Sequence, residues 1–198
     1  MSIRIFQSPT SMFCEKIRVV LGTKGLPYEI VDIREDSRKS LIDFSHQRKV
    51  PVMDYNGQCV IDSTFISAFL EERHPQNSIY PTAASDRGLC LLLEDWGDEV
   101  LNLAVHAIRK AHQEKNAEAM SQAQKGIETH LTSLDQFFTG KQFIFDRITV
   151  ADLAIFTQIH YLYHRTMYQV PARYQNLHAW MDLMRRTLKL ASLSDLLP

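Results

Sequence analysis

The sequence lacks an excess of charge of either sign, because 22 Lys and Arg residues balance 23 Asp and Glu residues and leave a net charge of -1. Surfaces that bind nucleic acid or anionic membranes through charge carry a clear basic excess. No apolar run approaches the ~18 residues that cross a bilayer, and the N-terminal Met-Ser-Ile-Arg does not resemble a signal peptide. We therefore expect neither nucleic acid nor membrane as a partner.

Cysteine, glycine and proline are also scarce. The three cysteines, Cys14, Cys59 and Cys90, are odd in number and lack the spacing of a metal site, so a reducing cytosol is the expected location. Only 7 Gly and 7 Pro occur in 198 residues, whereas 45% of the residues are hydrophobic, which excludes a fibrous or disordered chain. This length suits one large domain or two small ones.

The first 74 residues change pattern often. Alternating and β-branched segments predict strands, 3.6-residue periodicity predicts helices, and the Asn56-Gly57 pair predicts a hairpin turn. The predicted order is β-α-β-α-β-β-α, with strands at 3–6, 28–33, 50–54 and 58–61 and helices from 12, at 37–46 and from 63. The last helix has Phe65, Ile66, Phe69 and Leu70 inward and Glu71, Glu72 and Arg73 outward. This order predicts an α/β thioredoxin-like domain whose first βαβ unit is parallel.

The remainder of the chain has helical periodicity. Pro75 and Pro81 mark a breaker-rich segment, so we predict domains at residues 1–76 and 85–198 with a linker at 77–84. The second domain is predicted to be all-helical, with helices at 126–138, 150–163 and 174–188 and a short tail. An apolar seam about five turns long is predicted on its first helix, formed by Leu89, Leu93, Trp96, Val100, Leu103 and Ala107.

Lys49-Val50-Pro51-Val52 precedes the predicted hairpin. Proline lacks an N–H and therefore begins a strand more readily than it occupies a central one. An ordinary trans bond is the default expectation, since about 5–6% of X–Pro bonds are cis. A cis bond would instead expose the backbone of Val50 to a ligand.

Asp62 and Ser63 stand where the last helix of the first domain begins. One of them caps the helix by accepting a hydrogen bond from a first-turn N–H group. A functional alternative uses the same physics, because free N–H groups and the partial positive charge at a helix start bind a carboxylate. With Ser63 donating to that carboxylate and Asp62 accepting from an ammonium group, the pair would recognise the α-amino acid end of a ligand.

Ser11-Met12-Phe13-Cys14 lies where the first strand gives way to the first helix. A thiolate held at a helix N-terminus has a lowered pKa, and the Ser11 hydroxyl could donate a hydrogen bond to it. The structural alternative makes Ser11 an N-cap and places Cys14 partly buried on the helix. Ser8 is a second candidate donor, and Cys14 a third candidate for the reactive position.

These motifs, in this order and spacing, resemble those of cytosolic glutathione transferases. The resemblance rests on Ser-Pro-Thr-Ser-Met-Phe-Cys-Glu-Lys-Ile-Arg after the first strand, on Lys-Val-Pro-Val and on Asp-Ser at a helix start. It extends over nearly the whole chain, because Ile148-Thr149-Val150-Ala151-Asp152-Leu153 resembles the motif that opens a buried helix of the second domain. Thr149 and Asp152 have capping-box spacing, which assigns this motif to folding rather than to catalysis.

The resemblance implies a serine-type glutathione transferase, a cytoplasmic detoxifying enzyme that uses glutathione as co-substrate and holds no bound cofactor or metal. It implies that Ser11 stabilises the glutathione thiolate, since no Tyr occupies the first strand or its loop and cysteine-type classes have Cys at this position. The implied glutathione contacts are Lys49 with the glycyl carboxylate, Val50 before a cis Pro51, and Asp62 with Ser63 at the γ-glutamyl end.

The resemblance implies a homodimer that pairs through residues 63–73 and 87–107. It also implies that the second substrate is a small electrophile, whose identity the sequence does not determine. Two alternatives remain open at this point. One is a non-enzymatic scaffold resembling the stringent starvation protein A family. The other is a glutathione-dependent isomerase or dehalogenase, which the same glutathione site would serve equally well.

Overall fold

The computed structural model describes residues 1–166 and 168–189, which form two compact units. The first unit runs from Met1 to Tyr80 and the second begins at Pro81. This division lies inside the predicted linker of residues 77–84. The predicted tail after residue 189 lies outside the described residues.

The first unit alternates short strands and helices in the predicted order. Its elements are β1 Ile3–Gln7, α1 Met12–Lys24, β2 Glu29–Asp32, α2 Lys39–Ser45, β3 Val52–Tyr55, β4 Gln58–Ile61 and α3 Ser63–Arg73. Gly25 ends α1 with a left-handed φ of 69°, where its N–H bonds back to Gly22 and Leu21, because glycine adopts this conformation without a steric penalty.

A four-stranded mixed sheet in the order β2-β1-β3-β4 forms the centre of this unit. β1 runs parallel to β2 and antiparallel to β3, which is antiparallel to β4. Alternate residues of β1 face opposite sides, so Ile5 and Phe6 are both buried but in different layers. Phe6 stacks on Phe44 of α2 at 5.2 Å between ring centroids, within a core cluster that contains Leu41 and Val52. The thioredoxin-like α/β arrangement is confirmed.

Two details of α3 differ from the prediction. Phe65 was expected to face inward but is 70% exposed. The buried face of α3 consists instead of Ser63, Ile66, Ser67 and Leu70. The two small serines on this face let the helix pack closely. Glu71, expected to face outward, instead forms an ion pair with the buried Lys24 at 2.7 Å. Hydrophobic periodicity therefore predicted the wrong buried face for α3, because the face that packs inward contains two serines in place of the large apolar Phe65.

The second unit is helical throughout its described residues apart from loops and turns. Its helices are α4 Ala84–Asp95, α5 Asn102–Gln113, α6 Ala117–Phe137, α7 Val150–Arg165 and α8 Gln175–Thr187. A π-helical segment, Trp96–Leu101, follows α4 directly and leads directly into α5. The predicted face of residues 126–138 is confirmed, because its apolar members are buried: Ile127, Leu131, Leu134 and Phe138.

The predicted seam of the first long helix does not form the buried face. Leu89, Val100 and Leu103 are exposed and Trp96 is only half-buried, against the edge of His130. The buried row lies one residue further along and consists of Cys90, Glu94, Gly97, Leu101, Val105 and Ile108. A Cβ at Gly97 would lie 3.3 Å from the Ile155 backbone nitrogen, so this row meets α7 through small and polar residues, which hydrophobic periodicity cannot identify.

Helix α7 lies at the centre of the second unit, and every residue from Val150 to Leu162 is buried. Its first turn is closed by the predicted capping box, in which the Asp152 carboxylate accepts hydrogen bonds from the backbone N–H and hydroxyl of Thr149. Asp152 also accepts the backbone N–H of Ile144 at 2.9 Å. The predicted capping box is therefore confirmed.

A membrane span would need a long apolar helix, and none is present in residues 1–166 and 168–189.

Candidate functional site

Three predicted site segments meet at one end of the sheet of the first unit. The strand register pairs Phe6 with Val52 and Val52 with Ile61. The loop that leads to Ser11 begins just after the strand residue Phe6 and its neighbour Gln7. The Val50–Pro51 bond comes just before Val52, and Asp62 comes just after Ile61. The topology therefore brings together segments that are 50 residues apart in sequence.

Helices α1 and α3 both begin at this end and run parallel. Lys16 near the start of α1 contacts Thr64 near the start of α3, at 3.3 Å from Nζ to Oγ1. Two turns later Lys24 contacts Glu71, at 2.7 Å from Nζ to Oε2. Both helices therefore direct the partial positive charge of their N-termini to the same end of the sheet, which favours an anionic ligand.

Ser11 is the N-cap of α1, with extended backbone at φ -93° and ψ 121°. Its hydroxyl oxygen accepts the backbone N–H of Cys14 at 3.3 Å, and its side chain is half-buried. A hydroxyl has one donor in addition to its acceptor lone pairs. The capping role is therefore observed, and the hydroxyl can also donate to a ligand.

The two alternatives to Ser11 are held differently. The Ser8 hydroxyl shares a 3.1 Å hydrogen bond with the Thr10 hydroxyl, and the Ser8 carbonyl accepts the Ser11 N–H. Cys14 is fully buried, and burial raises the pKa of its thiol, although hydrogen bonds from Ser11 and Ser8 and the positive charges of two arginines lower it. A buried thiol with a raised pKa is a poor nucleophile, so the geometry favours a serine.

The Val50–Pro51 peptide bond is cis, as the family resemblance implied and against the default expectation for X–Pro bonds. Val50 is half-buried and Pro51 is buried. Because β3 begins at Val52, the backbone of Val50 lies outside the strand pairing. The neighbouring Lys49 is exposed.

Asp62 caps α3 and has a strained backbone. Its Oδ1 accepts the N–H groups of Thr64 at 2.9 Å and of Phe65 at 3.3 Å, which confirms the capping alternative. Its φ of 70° with ψ of 132° belongs to a region that residues other than glycine rarely adopt, at a cost of about 1–3 kcal/mol. An exposed and strained acidic residue at a helix start is a typical feature of a ligand-binding position.

Ser63 is the first residue of α3 and is almost fully buried. Its carbonyl accepts the hydroxyl of Ser67 at 2.8 Å one turn later, which keeps the backbone at the start of the helix in place. Its position leaves the first-turn N–H groups of α3 beside Asp62. The structure therefore places Ser11, Val50, Asp62 and Ser63 at one end of the sheet.

Sequence reasoning did not identify Lys16. It is fully buried, although lysine is almost never buried without a partner. The signal was present in the spacing, because Lys16, Val20 and Lys24 are separated by four residues each and so share the buried face of α1. Among the described residues, no group of three or more His, Cys, Asp or Glu side chains is arranged to hold a metal ion.

Two family models match the chain. The glutathione S-transferase N-terminal domain matches residues 5–78, and the glutathione S-transferase C-terminal domain matches residues 117–183. The first match spans all the candidate site residues. The second spans α6, α7 with its capping box, and most of α8.

Curated relatives carry two kinds of name. A probable glutathione S-transferase from Nicotiana tabacum is 26% identical over 87% of this chain and 78% of its own length. The maleylacetoacetate isomerase of Mus musculus is also 26% identical, over 73% of this chain and 70% of its own length.

Solved structures share the fold across the whole chain. A glutathione S-transferase from Methylobacillus flagellatus, solved with GSH bound, superposes with a TM-score of 0.78 at 22% identity and covers 100% of both chains. A delta-class glutathione transferase from Nilaparvata lugens gives a TM-score of 0.82 at 21% identity, over 94% of this chain and 89% of that one. With both domain models and the fold in agreement, the chain belongs to the glutathione S-transferase family, which confirms the resemblance drawn from its motifs and the glutathione transferase function that it implied.

Proposed function

We propose that the chain binds glutathione at the sheet end formed by Ser11, Val50 and Asp62 and transfers its sulfur to a small electrophile. The observation that carries the proposal is the convergence of two helix N-termini and the Val50–Pro51 segment at that end. A peptide with two carboxylates fits a site where free N–H groups and partial positive charge collect.

Each part of glutathione has a proposed partner. The backbone of Val50 pairs with the cysteinyl segment, because its N–H and carbonyl lie outside the sheet pairing. Ser63, at the positive N-terminus of α3, binds the γ-glutamyl carboxylate, and Asp62 accepts from the γ-glutamyl ammonium group. Lys49, which is exposed beside Val50, binds the glycyl carboxylate.

Ser11 is the proposed catalytic residue. Its O–H donates to the glutathione sulfur, and the N-terminus of α1 adds a favourable potential, so the thiolate forms near neutral pH. The thiolate sulfur then forms a bond to an electrophilic carbon, which expels its leaving group with the bonding electron pair. No cofactor enters this sequence, since glutathione is itself consumed.

An isomerase is the second candidate function, because two curated relatives are named maleylacetoacetate isomerases. The same half-site would serve it, with the thiolate adding to a carbon and leaving again after bond rotation. The two reactions differ in stoichiometry. Transfer consumes one glutathione for each product, whereas isomerisation returns it.

We further propose that the enzyme is a homodimer in a reducing cytosol. Both helices that the family resemblance assigned to pairing carry exposed apolar side chains, which are Phe65 on α3 and Leu89, Leu92, Val100 and Leu103 from α4 to α5. Phe65 and Leu103 are each 70% exposed, and exposed apolar side chains that accumulate along one helical stretch are a feature of surfaces that pair with another protein. All three cysteines are free thiols, and Cys59 is exposed, which suits a reducing compartment.

Retention on glutathione-agarose, followed by thiol consumption with an aromatic electrophile, tests the activity. We expect retention and one thiol lost for each product; a protein that neither binds nor turns over would contradict the proposal.

Light scattering tests the assembly: we expect twice the 22.9 kDa chain mass, and a shift toward the mass of one chain in Leu103→Glu. Glu118, exposed in the first turn of α6 and outside the residues assigned to pairing, provides the control variant Glu118→Lys.

A further inference from the structure

Arg38 connects three parts of the first unit at the start of α2. Its backbone N–H donates to the carbonyl of Ile33, just after β2, at 2.8 Å, and its own carbonyl accepts the N–H of Ile42 in α2 at 3.0 Å. Its guanidinium donates to the carbonyl of Arg48, in the segment that joins α2 to β3. This segment leads directly to Val50, whose backbone is proposed to pair with the cysteinyl part of glutathione.

An arginine at this position does not favour the start of α2. Arg38 has a left-handed backbone with φ of 71°, which residues other than glycine rarely adopt because their Cβ approaches a backbone carbonyl. Within the described part of the first unit its side chain caps no N–H group of α2, and its positive charge lies where the helix macrodipole disfavours a cation. Asp36 accepts the N–H of Ser40 at 2.7 Å instead. What the Arg38 side chain provides is its contact with the Arg48 carbonyl.

The Arg48 contact complements the packing of Val50. The Val50 side chain packs against the core cluster that contains Leu41 and Val52, so this side of the residue is held by burial. Its backbone lies outside the strand pairing, because β3 begins at Val52. The carbonyl two residues earlier is held by Arg38, so a side chain does for this part of the chain what pairing does for a strand.

The same guanidinium lies near the first turn of α1. Burial raises the pKa of the Cys14 thiol, and the positive charges of Arg18 and Arg38 act against that rise. The Cys14 N–H donates to the Ser11 hydroxyl at 3.3 Å, so Cys14 adjoins the residue proposed to donate to the glutathione sulfur. Arg38 is therefore near both segments proposed to contact the cysteinyl part of the ligand.

We propose that Arg38 is a positioning residue for the cysteinyl part of glutathione: its guanidinium holds the Arg48 carbonyl so that the Val50 backbone is presented to the ligand. This inference rests on the proposed function, because it takes glutathione as the ligand. It adds a residue from the start of α2 that acts through the chain before Val50 and not through a contact with glutathione.

The test measures by calorimetry the affinities for glutathione and for γ-glutamylcysteine, which shares the cysteinyl segment but lacks the glycyl residue. Arg38→Gly removes the guanidinium and suits the left-handed backbone. We expect it to weaken γ-glutamylcysteine binding about tenfold, the scale of one hydrogen bond to a charged group. Glutathione binding should weaken at least as much, because Lys49 lies in the same segment as Arg48.

Two further measurements separate positioning from other effects. Ser37→Gly is the matched control, because Ser37 also has a left-handed φ, of 56°, in the same loop; it should leave both affinities unchanged. The loss in Arg38→Gly should persist in 1 M salt, where charges are screened beyond about 3 Å, because it comes from the position of the Val50 backbone and not from attraction across space.

Each failure has a separate meaning. A wild-type protein that binds neither peptide would refute the glutathione site itself. If the wild type binds both, an unchanged affinity of Arg38→Gly for γ-glutamylcysteine would overturn the positioning role, even with weaker glutathione binding, because the loss would then lie at the glycyl end. A loss that disappears in 1 M salt, or that Ser37→Gly reproduces, would overturn it as well. If Arg38→Gly does not fold, Arg38→Asn decides by the same measurements, since asparagine also tolerates a left-handed backbone.

Discussion

Helix α7 and the two helices at the candidate site begin in contrasting ways. At the start of α7, Asp152 and Thr149 are both fully buried, and the Asp152 carboxylate accepts three hydrogen bonds from nearby protein groups. At the starts of α1 and α3, the capping side chains are half-buried or exposed, and Asp62 caps from a strained backbone conformation.

The contrast separates folding from binding at helix starts that share the same backbone chemistry. A buried capping box uses the helix N-terminus for internal packing and leaves no room for a ligand. An exposed cap stabilises the free protein and keeps N–H groups accessible to an anion. We therefore expect substitutions in the first kind of cap to change stability alone, and those in the second kind to change ligand binding or turnover.

Removing the buried carboxylate gives the largest expected effect. Asp152→Ala leaves the buried N–H groups of Ile144 and Thr149 without an acceptor, and each such loss costs about 1–3 kcal/mol. We expect the free energy of unfolding to fall by about 3 kcal/mol, measured by urea denaturation. Glutathione affinity of the folded variant should be unchanged. A folded variant with normal stability but weakened glutathione binding would break the contrast.

The pH dependence of stability tests the same carboxylate. Burial raises the pKa of Asp152 to about 6 from 3.8, in spite of the hydrogen bonds that lower it. The folded state then binds more protons than the unfolded state between these values, so this group's contribution to stability falls as pH rises from about 4 to 6. The loss is up to ~3 kcal/mol.

Wild type compared with Asp152→Asn isolates that contribution, because asparagine does not titrate. We expect the stability of wild type relative to the variant to decrease across this pH range and to be constant above it. A relative stability that increases with pH would mean that the three hydrogen bonds outweigh burial and hold the pKa below its ordinary value.

Much of the fold followed from local patterns. Asn56-Gly57 indicated the β3–β4 hairpin, and Thr149 with Asp152 indicated the start of α7, because in each case neighbouring residues determine the backbone. The positions of Ser11 and Asp62 at helix starts followed for the same reason. The cis Val50–Pro51 bond came from the family resemblance, since local sequence alone favours trans.

Features that depend on distant partners were not predictable from the sequence. Glu71 was predicted to face outward and Lys16 was not identified, because their partners lie about 50 residues away on another helix. The exposed seam from Leu89 to Leu103 looked like a core face, because the true inward row contains Cys90, Glu94 and Gly97. Hydrophobic periodicity indicates how apolar a helix face is, but it does not indicate which face packs closely against α7.

At the open cap of α1, the Ser11 variant tests catalysis. Ser11→Ala removes the proposed donor to the glutathione thiolate, and a hydrogen bond to a charged group contributes about 1.5–3 kcal/mol. We expect the pKa of enzyme-bound glutathione to rise and turnover with an aromatic electrophile to fall about 10- to 100-fold. Glutathione affinity should change less, because the γ-glutamyl contacts remain.

Ser8→Ala and Cys14→Ala are the controls for this titration, which follows thiolate absorbance of the bound glutathione. Both should leave turnover largely intact, since Cys14 is buried and Ser8 is bonded to Thr10. A loss of activity confined to Cys14→Ala would transfer the reactive role to the cysteine and favour redox chemistry over conjugation.

The smallest expected effect on stability, and the finest test of the contrast, lies at Asp62. Asp62→Ala loses the cap, which costs about 1 kcal/mol, and keeps the strain of a φ near 70°. Asp62→Gly also loses the carboxylate, but glycine adopts this conformation freely and caps a helix within a few tenths of a kcal/mol of the best residues. We therefore expect Asp62→Gly to be at least as stable as wild type in urea denaturation.

Binding should not follow stability at this position. Both variants lack the carboxylate proposed to accept the γ-glutamyl ammonium group, so calorimetry should show glutathione affinity reduced by ~1–3 kcal/mol in each. A glycine variant that is as stable as wild type and yet binds poorly would mean that the strained aspartate is retained for the ligand. If Asp62→Gly instead binds glutathione with wild-type affinity, Asp62 is only a helix cap. The start of α3 would then serve folding alone, as the start of α7 does.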